Sequence, residues 1–497
     1  MTDGYGITKP SCFLLLLANF LLVSATGPAL KNEGWKQMCT LAATLDKTPG
    51  MAKGKLVKIA QGAFKADSTA LKLMSMAAAE SDNRSKAAFR GLSRVVSRTA
   101  VSLAQKTQKV ADDAIQATAL SARTSGKINE LTALLNNAAD DGSDTGGCLA
   151  AAGDTNIAEH AETKAAWCSY DAPSYASTEA TIPDTEISAA GFSQAKGVED
   201  AKAETAANKC VLFDGTGGKS AGKFYQHTTK VSQVDGYLTI TGAGAATTTA
   251  LVIEDLQQVG TPGKQTSHKN LHDLHAAVKR INDEDTTAIK TTDEAIIKEA
   301  AIDSSLNDAI QAELKIISGS EDQSKLKQEA TEIIKEFVND DNKKGEKAWQ
   351  KLKSTKVKGT EAQPETEKEL KDINDNAKLV YALNYYTTTA ENKLQAADTK
   401  LATAQAADGQ VSPAPKPDDC KGKKGTACTE DCELDGDICK LKKKVEGVKK
   451  ENEGTTNTST TGSNSFVIST APLWLAVLFC HNTFTLFYQL NEIYKTH

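Results

Sequence analysis

The sequence predicts a mainly α fold. The expected architecture is a long antiparallel α-helical hairpin, a coiled-coil rod, with an irregular top lobe containing a little β. A small disulfide-stapled C-terminal domain follows. Three observations predict this. No proline interrupts the chain between Pro49 and Pro173. Inside that window apolar and small residues recur in alternating steps of three and four. Turn-forming residues at "SDNRS", Ser81 to Ser85, cut the window in two.

The first helix carries Leu56, Ile59, Ala63, Ala66, Ala70, Leu73 and Ala77 as a heptad seam. The second carries Leu92, Val96, Leu103, Val110, Ala117, Leu120, Ile128, Leu131 and Leu135, and stops at "NNAADDGSDTGG". Two helices of about 50 residues joined by a short turn run antiparallel, each about 75 Å long at 1.5 Å per residue. The alternatives are one continuous helix or two separate ones. The small residues of the seam let the two axes approach closely.

Composition agrees with this reading. Of the 497 residues 40% are hydrophobic and only 5% aromatic, and much of the apolar share is alanine, which favours long helices over a compact aromatic core. The length allows two or three domains. A formal net charge of -6 gives no reason to expect nucleic acid as a partner.

Lys9 precedes the apolar run "FLLLLANFLLV", Phe13 to Val23, and then "SATG". That order predicts a secretory signal peptide over residues 1–25, cut near Ala25, the alternative being an uncleaved anchor. Passage through an oxidising lumen makes disulfides the expected state of the cysteines. Cys12 leaves with the signal peptide and Cys480 sits in the apolar block near the chain's end, so eight cysteines remain, in two sets of four. Cys39, Cys148, Cys168 and Cys210 belong to the large domain, residues 26–408. A hairpin brings Cys39, near the start of the first helix, close to Cys148, just past the end of the second. All four are therefore expected at the end of the hairpin opposite Ser81–Ser85. The loops from about 140 to 265 form the lobe there, with "YLTITG" and "ALVIE" as short strands.

Helical signals resume near Thr266 and run to about Gln405. Val380, Leu383, Thr387, Ala390, Leu394, Ala397, Leu401 and Ala404 keep the alternation most strictly. This third long helix is expected to pack on the hairpin or on that of a partner subunit. Residues 409–419 hold Pro413, Pro415 and Pro417 and predict an extended linker. The second cysteine set, Cys420, Cys428, Cys432 and Cys439, is spaced unlike a structural zinc site and predicts two disulfides in a small domain over 420–445, with the pairing open. Residues 446–463 follow as a disordered tether.

Two motifs touch on chemistry. "GKSAG" around Ser220 matches the length of a nucleophile elbow, but its surroundings read as a glycine-rich surface loop. His268, His272 and His275 share a helical face, as zinc ligands do, yet read as a solvated or buried polar face. No catalytic, cofactor-binding or metal-binding residue is assigned, and no cofactor is expected. Asn83 and Asn457 begin N-x-[ST] sequons and are candidate glycan sites.

The chain's end has the layout of a glycosylphosphatidylinositol attachment signal. Small residues Ser463, Asn464 and Ser465 precede a short spacer and the apolar block "LWLAVLFC". Ser463 is the expected lipid carrier, with residues 464–497 removed. Signal peptide, alanine-rich hairpin, two cysteine quartets, linker and this tail together resemble the trypanosome variant surface glycoproteins, with a class A-like N-terminal domain. The resemblance implies pairing of Cys39 with Cys168 and of Cys148 with Cys210. It also implies a homodimer packed laterally with identical copies on the plasma membrane, a coat that shields the cell and varies antigenically under attack by host antibodies. A receptor for a host serum protein on the same scaffold is the rival expectation. One departure stands out: "HNTFTLFYQLNEIYKTH" continues past the apolar block to His497.

Overall fold

The computed structural model describes residues 27–138, 147–158, 168–170, 172–203, 210, 212–213, 230–242, 249–408, 432–435 and 438–441. The expected signal peptide, the linker, Ser220, Cys420, Cys428, Asn457 and Ser463 lie outside the described residues. Packing divides the chain into two compact units, Met1–Leu401 and Ala402–His497.

The first unit opens with β1 (Ala29–Leu30) and α1 (Asn32–Leu45), continues into α2 (Thr48–Ala79), turns, and returns as α3 (Asn83–Asn137). The second arm, 55 residues, has about the length expected. The first arm is not one helix: it breaks at Asp46 and Lys47 into pieces of 14 and 32 residues. Pro49 causes this. It has no N–H to offer the Leu45 carbonyl, and its ring would clash there in a continuous helix. Placed in the first turn of α2, it costs nothing, because those N–H groups have no intrahelical partner.

At the hairpin turn Asp82 caps α3, its carboxylate accepting from the Ser85 N–H at 2.7 Å. The seam residues Ile59, Ala63, Ala66, Ala70, Leu73 and Ala77 are buried against Leu92, Val96, Val110, Ala117, Ile128 and Leu135 of the other arm or the elements around it. The Ser93 hydroxyl donates to the Ala70 carbonyl at 2.8 Å, across the two arms. Small residues also admit other elements. A Cβ on Gly91 would come within 2.4 Å of the Ile310 side chain, and one on Gly54 within 1.9 Å of the Thr178 carbonyl oxygen.

The lobe contributes β2 (Lys202–Ala203), antiparallel to β1, and a three-stranded antiparallel sheet of β3 (Val231–Gln233), β4 (Leu238–Thr241) and β5 (Ala250–Ile253) in that order. Beyond it come α4 (Lys269–Asp283), α5 (Asp293–Ala300), α6 (Leu306–Ser318) and α7 (Gln323–Ile333). A π-helical turn at Ile334–Val338 leads to α8 (Glu346–Ser354), the two-residue strands β6 (Lys356–Val357) and β7 (Lys368–Glu369), and α9 (Asn376–Asp408). In the second unit, β8 (Cys432–Asp435) and β9 (Ile438–Leu441) pair as an antiparallel hairpin.

Two large apolar clusters fill the first unit. One surrounds the cysteines and joins α1, the cysteine-side part of the hairpin, the lobe sheet and α4. The other surrounds the hairpin turn and joins both arms to α5, α6, α7, α8 and the start of α9. Helix α9 departs from expectation along part of its length. Leu379 and Ala382 are fully buried, and the Ser75 hydroxyl donates to the Leu379 carbonyl at 3.3 Å. From Ala390 to Ala404 every residue is exposed. Leu394 and Leu401, in the second half of this periodic helix, are exposed rather than packed on the hairpin.

Candidate functional surface

The lobe is built from the cysteines outward. Cys39 is on the buried face of α1, with Trp35, Met38 and Ala42. It is bonded to Cys168, and Cys148 is bonded to Cys210. These are the pairs the resemblance implies. The bridges span 129 and 62 residues of sequence, so each closes a long loop whose free ends would otherwise cost entropy to hold. All four cysteines belong to the cluster remote from the hairpin turn.

Backbone bonds finish the anchorage. Leu30 N–H donates to Cys148 O at 2.8 Å, Ala150 N–H to Leu30 O at 2.9 Å, and Lys31 N–H to Ala201 O at 2.8 Å. Trp35 is fully buried and its indole N–H donates to the Ala150 carbonyl at 2.8 Å. The turn between β3 and β4 places Asp235 at φ 56°, a left-handed conformation that Asp adopts more readily than most residues. Its carboxylate accepts from Lys127 at 2.7 Å, Asn270 at 3.2 Å and Arg123 at 3.3 Å, which ties the sheet to α3 and α4.

An extended segment, residues 172–182, runs beside α2. Thr178 N–H donates to Gly50 O at 3.1 Å. At its far end Asn282 mimics a strand: its amide donates to Ile182 O at 2.9 Å and accepts from Ile182 N–H at 2.7 Å. The buried Lys55 ammonium donates to Asn282 O at 2.5 Å and Glu284 O at 2.9 Å, capping the last carbonyls of α4. Burial lowers its pKa, and Glu284, Asp283 and Asp285 oppose that.

The three histidines do not converge. His268 faces Glu254 at 3.6 Å, and His272 Nδ1 lies 3.7 Å from Asp273 of its own helix. Only His275 is fully enclosed. Its Nε2 pairs with Ser188 O at 2.9 Å, and Phe192 meets the ring edge-on at 5.4 Å. A Cβ on Gly260 would strike the ring at 2.3 Å, so only glycine fits there. Burial depresses the His275 pKa below its usual value; the bond to Ser188 works against this, and the charges of His272 and Lys279 reinforce it.

At the opposite end, Asn83 is exposed in the first turn of α3. On the small hairpin of the second unit, Cys432 opposes Leu441 and Leu434 opposes Cys439. Sequence reasoning did not find the buried charge cluster between the hairpin and α5. Lys72 is fully buried and donates to Asp293 at 2.9 Å; Lys65 donates to the same carboxylate at 2.9 Å and the Thr69 hydroxyl at 2.7 Å. Burial raises the Asp293 pKa, but Lys72, Thr69 and Lys65 outweigh it and hold the carboxyl below its usual range. The only sequence signal is a lysine standing next to the apolar seam of α2.

A long helical hairpin with a disulfide-stapled loop lobe at one end defines the class of scaffold to which the first unit belongs. Residues 11–387 match the family model described as trypanosome variant surface glycoprotein (A-type), and residues 419–480 match that of variant surface glycoprotein ETAT. The chain belongs to the A-type trypanosome variant surface glycoprotein family. It is 26% identical to variant surface glycoprotein MITAT 1.2 of Trypanosoma brucei brucei, over 94% of this chain and 97% of that one. To variant surface glycoprotein ILTAT 1.24 of the same organism it is 25% identical, over 88% of this chain and 83% of that one. The solved structure of MITat 1.1 shares the fold, with a TM-score of 0.52 at 19% identity, covering 76% of this chain and all of that one.

Proposed function

We propose that this chain is a lipid-anchored coat glycoprotein of the outer leaflet of the plasma membrane. The observation that carries the reading is the A-type family match over residues 11–387 on a stapled helical hairpin. The mechanism is physical. The hairpin holds the loop lobe away from the membrane, and copies packed side by side exclude antibodies and other macromolecules from the surface below. Variation falls on the lobe, where loops held by two disulfides accept sequence change without loss of the fold. The chain acts as a homodimer. Val101 and Ile115, exposed on α3, support lateral packing.

Ser463 carries the glycosylphosphatidylinositol, and Asn83 and Asn457 carry N-glycans. A glycan on Asn83 occupies space around the hairpin turn, away from the variable loops. Cys420, Cys428, Cys432 and Cys439 form two disulfides in the domain over 420–445. Among the described residues no helix is long and apolar enough to cross a membrane, which suits attachment by lipid. The chain performs no catalysis; a serine-reactive probe leaves Ser220 unlabelled and elemental analysis finds no zinc on His268, His272 and His275.

The deciding experiment is expression in a trypanosome, phospholipase C treatment of intact cells, and mass spectrometry of the released chain. The expected product ends at Ser463 with a glycolipid remnant and yields glycopeptides at Asn83 and Asn457. A surface chain still carrying residues up to His497 overturns the anchor assignment.

A further inference from the structure

Helix α9 raises a physical problem that the fold leaves open. Its first turns are built into the core around the hairpin turn, through Leu379 and Ala382. Tyr386 closes that contact, its hydroxyl accepting from the Lys358 N–H at 3.2 Å. Then the helix leaves the body. From Ala390 to Ala404 it is exposed on every side, Leu394 by 66% and Leu401 by 59%. A lone helix of about 15 residues is marginal in water, and one in a folded protein normally owes its stability to a covered apolar stripe.

The stripe is present. Thr387, Leu394 and Leu401 occupy one heptad position, and Ala390, Ala397 and Ala404 the position three residues on. These are the a and d sites of a two-stranded coiled coil. The outer positions Asn392, Gln395, Thr399 and Thr403 are polar. The alanines at d allow close approach of two helix axes, and the leucines at a supply the apolar area.

The flanking charges select the orientation. Glu391 and Asp398 stand at e, and Lys393 and Lys400 at g. In a parallel pair each g residue meets the e residue five positions later on the other strand, so Lys393 meets the second copy's Asp398, twice by symmetry. In an antiparallel pair g faces g and e faces e, which sets lysine against lysine and carboxylate against carboxylate.

We infer that residues 387–404 of α9 form a parallel, in-register two-stranded coiled coil with the same segment of a second copy of this chain. Resting on the dimeric reading above, this places a contact in the C-terminal neck of the large unit, where two chains tethered by their C-termini to one membrane necessarily run the same way. The coil is short and rich in alanine, so it adds to other contacts between the copies and fixes their register.

The test uses the full chain, with the oligomeric state read by light scattering over a concentration series. Ala397→Cys, at d, is expected to give an interchain disulfide under mild oxidation, and Thr399→Cys, on the outer face, is not. The pair Leu394→Asp and Leu401→Asp changes only exposed side chains of the single chain, so folding is retained. It is expected to weaken dimerisation by about tenfold or more. Lys393→Glu weakens it about twofold to fivefold, and adding Asp398→Lys restores it, as a parallel pairing requires. A dimer that gives no Ala397→Cys bridge and ignores the aspartate pair overturns this inference while sparing the dimeric reading. A chain that stays monomeric at every concentration overturns both. A photo-crosslinker at residue 394 that captures residues 409–441 of its own chain also overturns it, because the stripe is then covered by the tail.

Discussion

The two ends of the helical hairpin are held by different physics. At the cysteine end, irregular segments add two disulfides, backbone bonds and an enclosed histidine to their apolar cluster. At the turn end no cysteine is present among the buried residues; helices α5 to α8 pack on the arms and a buried carboxylate gathers two lysines. The contrast teaches where covalent bonds are needed. Irregular segments lack the regular backbone bonding of helices, and disulfides lower the entropy lost when they are ordered.

The comparison breaks most sharply at Asp293. Asp293→Asn keeps the shape but leaves the buried Lys72 without a counter-charge, and an uncompensated buried charge costs about 3–5 kcal/mol. Thermal melting should drop, and hydrogen exchange should rise around α2 and α5 while the lobe stays protected. Equal loss at both ends would mean that they unfold as one body and the contrast has no energetic content.

Removing the Cys39–Cys168 bridge with the double change to serine should cost about 2–5 kcal/mol. Here the expected pattern is reversed: exchange and proteolysis rise in residues 168–203, and the α5 to α8 end is spared. A melt in the presence of reductant gives the same ordering without mutagenesis.

Acid should separate the ends by pH. His275 has a depressed folded pKa, so the unfolded chain binds the proton first. Its contribution is intact well above the ordinary value of about 6.5 and is lost as pH falls through that value to the lower folded one. Asp293 is also depressed, but as a carboxylate. Its contribution is present above the ordinary value of about 3.9 and is lost only as pH falls through its folded value. Exchange around Ile187–Phe192 should therefore rise near pH 6, with α5 unaffected until below about pH 4. His275→Gln should remove the first step and leave the second.

Smaller effects sharpen the local picture. Gly54→Ala sets a methyl group against the Thr178 carbonyl oxygen and should cost about 1–3 kcal/mol through displacement of the 172–182 segment. Tyr237→Phe should be neutral or stabilising by about 1 kcal/mol. The ring is fully buried and its hydroxyl has no hydrogen bond among the described residues, so the change removes a polar group without removing a bond. Denaturant melts resolve both signs.

Much of the architecture was legible in residue order. Heptad spacing and the gap in proline located the hairpin, and "SDNRS" located its turn to within a residue or two. "YLTITG" and "ALVIE" emerged as neighbouring strands. The break at Asp46–Lys47 was also encoded, in Pro49, which stands in the first turn of α2. The cysteines declared themselves by number and position. The partners of Lys55, Lys72 and His275 did not, because each lies more than 80 residues away in sequence.

What the sequence determined by itself is local or topological. Side-chain periodicity dictates helices, and a short turn dictates that they run antiparallel, which brings Cys39 and Cys148 to one end whatever else the chain does. Which polar groups became buried pins was decided only by tertiary structure. A lysine on a helix costs nothing until another element removes its water, and then its stability depends on a carboxylate or carbonyl delivered from a remote segment. The same rule governs α9. Its pattern announced an apolar stripe, but the fold decided that the hairpin would cover Leu379 and Ala382 and leave Leu394 and Leu401 in water.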